Sequence, residues 1–263
     1  MDAARAEYFN IMREVFLWTL RIFNKKVSIA IAASSFAKKE IERVYGFDPN
    51  RVFALNNGAD ELFKPASTEM IAEVKQKYKL PETFFLNVSR LNPSKNAFRT
   101  IRAFDIFASA HPDSTIHFVN VGNYGTEIET VYDFISRSPH RERIHLIGYV
   151  EAADLPAVYS AAFAFVFPLL NDGFGLPVIE AMACGTPTVI SQTASPEITS
   201  ADAILVDALS ENSIANGMSI AYEDKALRAR LIHNGFVCRE KYSWRAMQDK
   251  LIALYKGLEL TPE

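Results

Sequence analysis

Short apolar runs alternate with longer stretches of helical period along most of this chain. Residues 8–26 carry Tyr8, Ile11, Met12, Val15, Trp18 and Ile22 on one helical stripe. Phe9, Phe16, Leu20 and Phe23 widen that stripe beyond the arc a core-facing helix needs, and Arg13, Arg21, Lys25 and Lys26 add cations. Beyond it the pattern predicts a strand at Val27–Ala33, a helix at Ala37–Tyr45, a strand at Val52–Leu55 and a helix at Glu69–Tyr78. Four apolar runs follow: Phe84–Val88, Ser114–Val121, Arg143–Ile147 and Ala161–Phe167. They read as strands buried on both faces, separated by a helix from Ala97, a second helix after Gly125 and a third from Asp154 to Ser160. Thr188–Ile190 and Ile204–Asp207 are two further short strands, and helices run to the end, the last opening at Ser243-Trp244. Strands alternating with helices predict an α/β fold: a Rossmann-like parallel sheet with helices on both faces.

The richest stretch is residues 171–187, Asn-Asp-Gly-Phe-Gly-Leu-Pro-Val-Ile-Glu-Ala-Met-Ala-Cys-Gly-Thr-Pro. It follows a strand that Pro168 ends, Gly173 and Gly175 open a tight loop, and Leu176-Pro177 suits a first helical turn, where proline loses no hydrogen bond. A strand, a glycine loop and a helix N-terminus in that order set backbone N–H groups beside a cavity at the carboxyl end of a sheet, where an anion or a hydroxyl-rich ligand binds. Asp172 and Glu180 can face that cavity and accept from pairs of sugar hydroxyls. Taken alone, Asp172 would be a helix cap and Glu180 an exposed helix residue. Gly122, after a predicted parallel strand, is a phosphate-loop candidate by position only, since no G-x-G-x-x-G or G-K-[ST] is present.

The 171–187 stretch resembles the donor-binding motif of the family-four retaining glycosyltransferases, which have the GT-B fold. Gly173, Phe174, Gly175, Leu176, Pro177, Glu180, Ala181, Ala183, Gly185 and Pro187 match, and Asp172 stands where the family usually has glutamate. Arg90, Leu91, Lys95 and Asn96 match the family's Gly-Arg-Leu-x-x-x-Lys-Asn segment, with Ser89 for the glycine. Asn57, Gly58 and Asp60 match its interdomain hinge, and Ser195, Pro196 and Glu197 a further loop. The resemblance covers about residues 27 to 257 and makes the chain the donor half of a GT-B enzyme.

The resemblance implies a donor that is a UDP- or GDP-linked sugar, transferred to an acceptor with retention of configuration. The implied catalytic residues are Arg90 and Lys95, which stabilise the departing diphosphate, and Asp172, which meets the sugar. Gly173, Phe174, Gly175 and Leu176 line the donor, Glu180 takes the ribose hydroxyls, and Tyr149 and Val150 lie beside the base. Neither cofactor nor metal is expected. Residues 1–60 read as a remnant of the acceptor domain with its hinge, and residues 61–263 as the donor domain with a returning C-terminal helix. On that reading the over-apolar first helix is a surface normally covered. A separate acceptor-domain chain docking on residues 1–60 and peripheral membrane contact through residues 8–26 both stay open as partners. A nucleotide-sugar binding module without turnover and a GT-B epimerase are the alternative functions.

Composition narrows the rest. A net charge of −3 gives no reason to expect nucleic acid. Cys184 and Cys238 form neither a metal pattern nor a disulfide framework, which fits a reducing cytoplasm. No run is long enough to cross a membrane. Cys184 reads as a small packing residue, and His117 and His145, inside predicted strands, as structural.

Overall fold

The computed structural model describes residues 12, 14–22, 24–170, 173–193, 195 and 197–259. Helix α1 (residues 14–22) leads through a short 3-10 turn to β1 (Ala30–Ala32), α2 (Ser35–Tyr45) and β2 (Val52–Ala54). Then come α3 (Thr68–Tyr78), β3 (Phe84–Val88), α4 (Ala97–Ala110), β4 (His117–Val121), α5 (Ile128–Arg137), β5 (Ile144–Gly148), α6 (Leu155–Ala161) and β6 (Ala164–Phe167). The chain continues with α7 (Leu176–Ala183), β7 (Thr188–Ser191), β8 (Ile204–Val206), α8 (Glu211–Glu223), α9 (Lys225–Lys241) and α10 (Trp244–Glu259).

Strands β1 and β2 pair in a small parallel sheet, and the other strands form a parallel sheet ordered β5-β4-β3-β6-β7-β8. Because side chains alternate across a strand, neighbouring residues enter different cores. Phe84, Leu86, Val119, Val121, Phe165 and Phe167 face α3, α6 and α7, through Val74, Tyr159 and Val178. Phe85, Phe118, Val166 and Val189 face α4, α5 and α8, through Phe104, Phe107, Val131 and Met218. Helices therefore cover both faces, as the near-continuous apolar strands require.

Chain order reverses between β3 and β6. From β3 the sheet grows outward through β4 to β5, and the chain then returns to lay β6 on the other side of β3. Loops leaving the carboxyl ends of β3 and β6 diverge at this point and leave a crevice, the place where open α/β sheets bind ligands.

Several expected boundaries shift for local reasons. Ala161 ends α6 instead of starting a strand; the N–H of Ala162 donates to the carbonyl of Tyr159 at 3.0 Å and closes the helix. Ser114 lies in a turn whose N–H donates to His111, and β4 begins at His117, opposite the first residue of β3. Helix α2 starts at Ser35, two residues early, because Ser34 caps it by accepting from the N–H of Ala37 at 3.0 Å. In α1, Val15, Phe16, Trp18 and Ile22 are exposed; residues 8–11, 13 and 23 of the predicted first helix lie outside the described residues.

The C-terminal helix returns to the hinge as expected. Ala59 bridges Ser243 in parallel, and its N–H donates to the carbonyl of Tyr242 at 3.2 Å. At Gly58 a β-carbon would lie 2.1 Å from the Trp244 nitrogen and 2.2 Å from the Ser243 carbonyl carbon. Gly58→Ala is expected to force the hinge away from α10 at a cost of about 1–3 kcal/mol. Thermal unfolding checks it; a midpoint equal to wild type would mean that the hinge moves freely.

Candidate functional site

The two glycosyltransferase-like loops leave the sheet at the reversal point. Ser89 to Asn96 follows β3, and residues 168–175 follow β6. Ser89, Lys95, Gly173, Phe174, Gly175, Leu176 and Pro177 line one cleft of about 390 Å³, together with Ala33, which follows β1, and Asn57, from the segment joining the small sheet to the large one. Residues some eighty positions apart in sequence thus share one cavity. Gly175, with φ 83°, turns the chain into α7, whose first turn holds Pro177. The positive end of that helix faces the cleft wall, a favourable setting for an anion.

A buried polar ladder supports these loops. Asn96, itself left-handed (φ 55°), donates through Nδ2 to the carbonyls of Pro168 at 2.8 Å and Ala208 at 2.7 Å, tying three strand ends together. Asn87 Nδ2 donates to Val166 O at 2.7 Å, and Ser89 Oγ donates to Asn87 Oδ1 at 2.6 Å. Buried Ser195 donates to the carbonyl of Phe174 at 2.8 Å, and Ser191 and Thr193 both donate to Leu169 O, at 2.6 and 2.7 Å. Apart from the Ser89–Asn87 bond, which fixes the Asn87 amide, each of these bonds satisfies a backbone carbonyl. Asn96 and Ser195 belonged to motifs in the sequence, but only the folded chain shows that they brace the cleft.

The other predicted residues differ in how they reach the site. Arg90 follows Ser89, with its side chain exposed at the rim and absent from the cleft lining. Gly122, at the end of β4, donates to Gly148 O at 2.7 Å and packs on the Ser89 carbonyl. Tyr149 is 67% exposed, whereas Val150 is 3% exposed and belongs to the core, which leaves only its backbone for a ligand. Phe174 is buried against Tyr242, ring centroids 5.6 Å apart, so it anchors the loop while its backbone borders the cleft. Asp172 lies outside the described residues.

Glu180 is neither an exposed helix residue nor part of the lining of this cleft. It is half-buried on α7, and Tyr159 of α6 donates its hydroxyl to Oε2 at 3.0 Å. Burial raises the Glu180 pKa above the usual carboxylate value, and the Tyr159 hydrogen bond partly opposes that rise. The Tyr159 phenol is held well above its own ordinary value by burial and by the Glu180 charge, so it remains a donor.

Residues 70–237 match the family described as glycosyl transferases group 1. The chain belongs to that family. It is 27% identical over 232 residues to O-antigen chain mannosyltransferase B of Escherichia coli, covering 88% of this chain and 61% of the relative. Among solved structures it superposes on a glycosyltransferase from Rickettsia africae with a TM-score of 0.82 at 16% identity, covering 92% of this chain and 67% of that one. Anabaena HepE in complex with UDP and glucose gives 0.80 at 20% identity, with 92% and 67% covered. The chain thus shares the fold of these glycosyltransferase structures, and it spans about three fifths of the mannosyltransferase's length.

Three side chains, Cys184, His117 and His145, have structural surroundings. Burial pushes the Cys184 thiol up to about 12, which leaves it protonated and unreactive at neutral pH. His117 Nδ1 and His145 Nε2 share a hydrogen bond of 2.8 Å near the amino ends of β4 and β5, whereas the cleft lies at the carboxyl ends of the strands. Among the described residues no helix is long and apolar enough to cross a membrane.

Proposed function

We propose that this chain binds a nucleotide sugar, UDP- or GDP-linked, and transfers its sugar to an acceptor with retention of configuration. The observation that carries the reading is the convergence of Lys95 and the Gly173–Pro177 loop in one cleft at the sheet's reversal point. Lys95 from within the cleft and Arg90 from its rim bind the diphosphate, with the α7 N-terminus as a third positive element. Asp172 and the amides of the glycine loop meet the sugar, Glu180 accepts from the ribose diol, and Tyr149 flanks the base. The transition state is oxocarbenium-like, so the protein's tasks are to position the donor and to stabilise charge as it gathers on the leaving diphosphate. None of these tasks requires a metal or a cofactor.

The names of similar proteins support the same chemistry. One relative is a mannosyltransferase, another is the mannosylfructose-phosphate synthase of Agrobacterium fabrum, and HepE was captured with UDP. Calorimetric titration of the purified chain with UDP, GDP and ADP, without added metal, tests the reading. Saturable binding of UDP or GDP is expected. A folded chain that takes up none of the three would sink it.

A further inference from the structure

The geometry points to Tyr159 as a positioning residue for donor binding: its hydroxyl sets the orientation of the Glu180 carboxylate, so that the other carboxylate oxygen is presented to the ribose diol. This rests on the reading of Glu180 as the ribose acceptor. Tyr159 is fully buried, and its ring is wedged edge-on between Phe63, 6.0 Å away, and Phe165, 5.4 Å away. Its own carbonyl accepts from Thr186 Oγ1 at 2.7 Å, which fixes the backbone at that turn of α6. A ring so confined cannot turn its hydroxyl elsewhere, and the 3.0 Å bond to Glu180 Oε2 is the hydroxyl's polar contact.

Glu180, by contrast, sits on an eight-residue helix with a flexible side chain of its own. Without the phenol its carboxylate would be half-buried with one oxygen unsatisfied. It could then rotate toward water or take up a proton, and either change removes the acceptor pair that a ribose diol needs.

The other ionisable groups near this pair stay fixed through the neutral range. Cys184, one turn beyond Glu180 at the end of α7, is pushed up to about 12 by burial, and its thiol also feels the charge of Arg239 in α9. The phenol, held well above its ordinary value, stays neutral. Acidification therefore acts on the pair through Glu180, whose carboxylate burial raises and the Tyr159 hydroxyl lowers. Loss of the hydroxyl should move the protonation of Glu180 to higher pH.

The experiment is calorimetric titration of UDP and GDP from pH 5 to 8, on wild type, Tyr159→Phe and Glu180→Gln. The ligand's phosphate also titrates in this range, so each affinity is divided by that of Glu180→Gln at the same pH, which cancels that contribution. Tyr159→Phe should bind roughly three- to tenfold more weakly near neutral pH. Its remaining Glu180-dependent advantage should vanish at a higher pH than in wild type, because the hydroxyl that lowers the Glu180 pKa is gone.

A Tyr159→Phe profile that overlays wild type while Glu180→Gln binds weakly would overturn the positioning role and leave the donor site intact. A uniform loss with an unmoved midpoint would also overturn it, as mere loosening of the core. If Glu180→Gln binds as tightly as wild type, the ribose reading fails and this proposal with it. Should Tyr159→Phe not fold, a site-specific 3-fluorotyrosine at 159 decides. Its phenol is a stronger donor of the same shape, so the midpoint should move to lower pH, and an unmoved midpoint overturns the proposal.

Discussion

Gly122→Ala is expected to destabilise the protein by about 3–5 kcal/mol and to weaken nucleotide binding as well. Two costs add. Gly122 has φ 141°, a backbone conformation that residues with a β-carbon rarely adopt. A β-carbon there would also lie 2.4 Å from the carbonyl oxygen of Ser89 and 2.7 Å from its carbonyl carbon. Neither neighbour can yield cheaply. Ser89 is paired on both sides, its N–H donating to Val121 O at 2.8 Å and its hydroxyl to Asn87. At roughly 2–4 °C per kcal/mol for a chain of this size, the unfolding midpoint should fall by about 10 °C.

The same displacement would carry Arg90, the next residue, away from the rim of the cleft, so the loss of affinity should be greater for a nucleoside diphosphate than for the nucleoside. Gly173→Ala is the matched control. Its β-carbon would meet nothing within 4 Å, and the expected stability change is within about 0.5 kcal/mol. If Gly122→Ala melted with wild type, the close packing of the β4 loop on the β3 loop would have no energetic weight.

What the sequence disclosed follows from which interactions are local. Period-two and continuous apolar runs marked β3, β4, β6 and β7 because a strand buried on both faces has little freedom of composition. Loops that need glycine and proline at set places left equally clear marks, and so the glycine loop and the Arg90–Asn96 segment stood out. Partners distant along the chain left no such mark. Nothing in the α7 stretch shows that a tyrosine 21 positions earlier donates to Glu180. Val150 is a similar case. It stands next to an exposed tyrosine in a turn, yet its side chain enters the core formed by α3, α6 and α7, a direction set by the left-handed turn at Gly148 (φ 78°).

The hinge region shows the same division. Asn57 matched a local motif, but its place in the cleft wall depends on how the small β1-β2 sheet sits beside the large one. Glu197 of the loop after β7 contributes to that seating: its carboxylate accepts from the Ser35 N–H at the start of α2 at 2.5 Å. A carboxylate at a helix N-terminus is well placed electrostatically, and this one joins a segment near the cleft to the element preceding the hinge. The cleft is therefore walled by strand ends and loops of the large sheet and by residues that follow β1 and β2 of the small one, and its shape depends on their relation.

The double variant Arg90→Ala/Lys95→Ala is expected to lower affinity for the bound nucleoside diphosphate by roughly a hundred- to a thousandfold. Hydrogen bonds to charged groups each contribute about 1.5–3 kcal/mol, and every 1.4 kcal/mol is tenfold. The two cations should not contribute equally. Lys95 lines the cleft beside Gly173, where low-dielectric walls strengthen its field, whereas the Arg90 side chain is exposed and screened by salt. The single variant Lys95→Ala should therefore carry the larger share, and its loss should persist at high ionic strength. The Arg90→Ala loss should shrink as salt is added. Affinity for free nucleoside should stay within a few-fold of wild type, because neither side chain addresses base or ribose. Titration of diphosphate and nucleoside at two salt concentrations separates these outcomes. Equal losses for both ligands would remove the pair from the phosphate site, and a larger, salt-resistant loss for Arg90→Ala would place the diphosphate at the rim and not within the cleft.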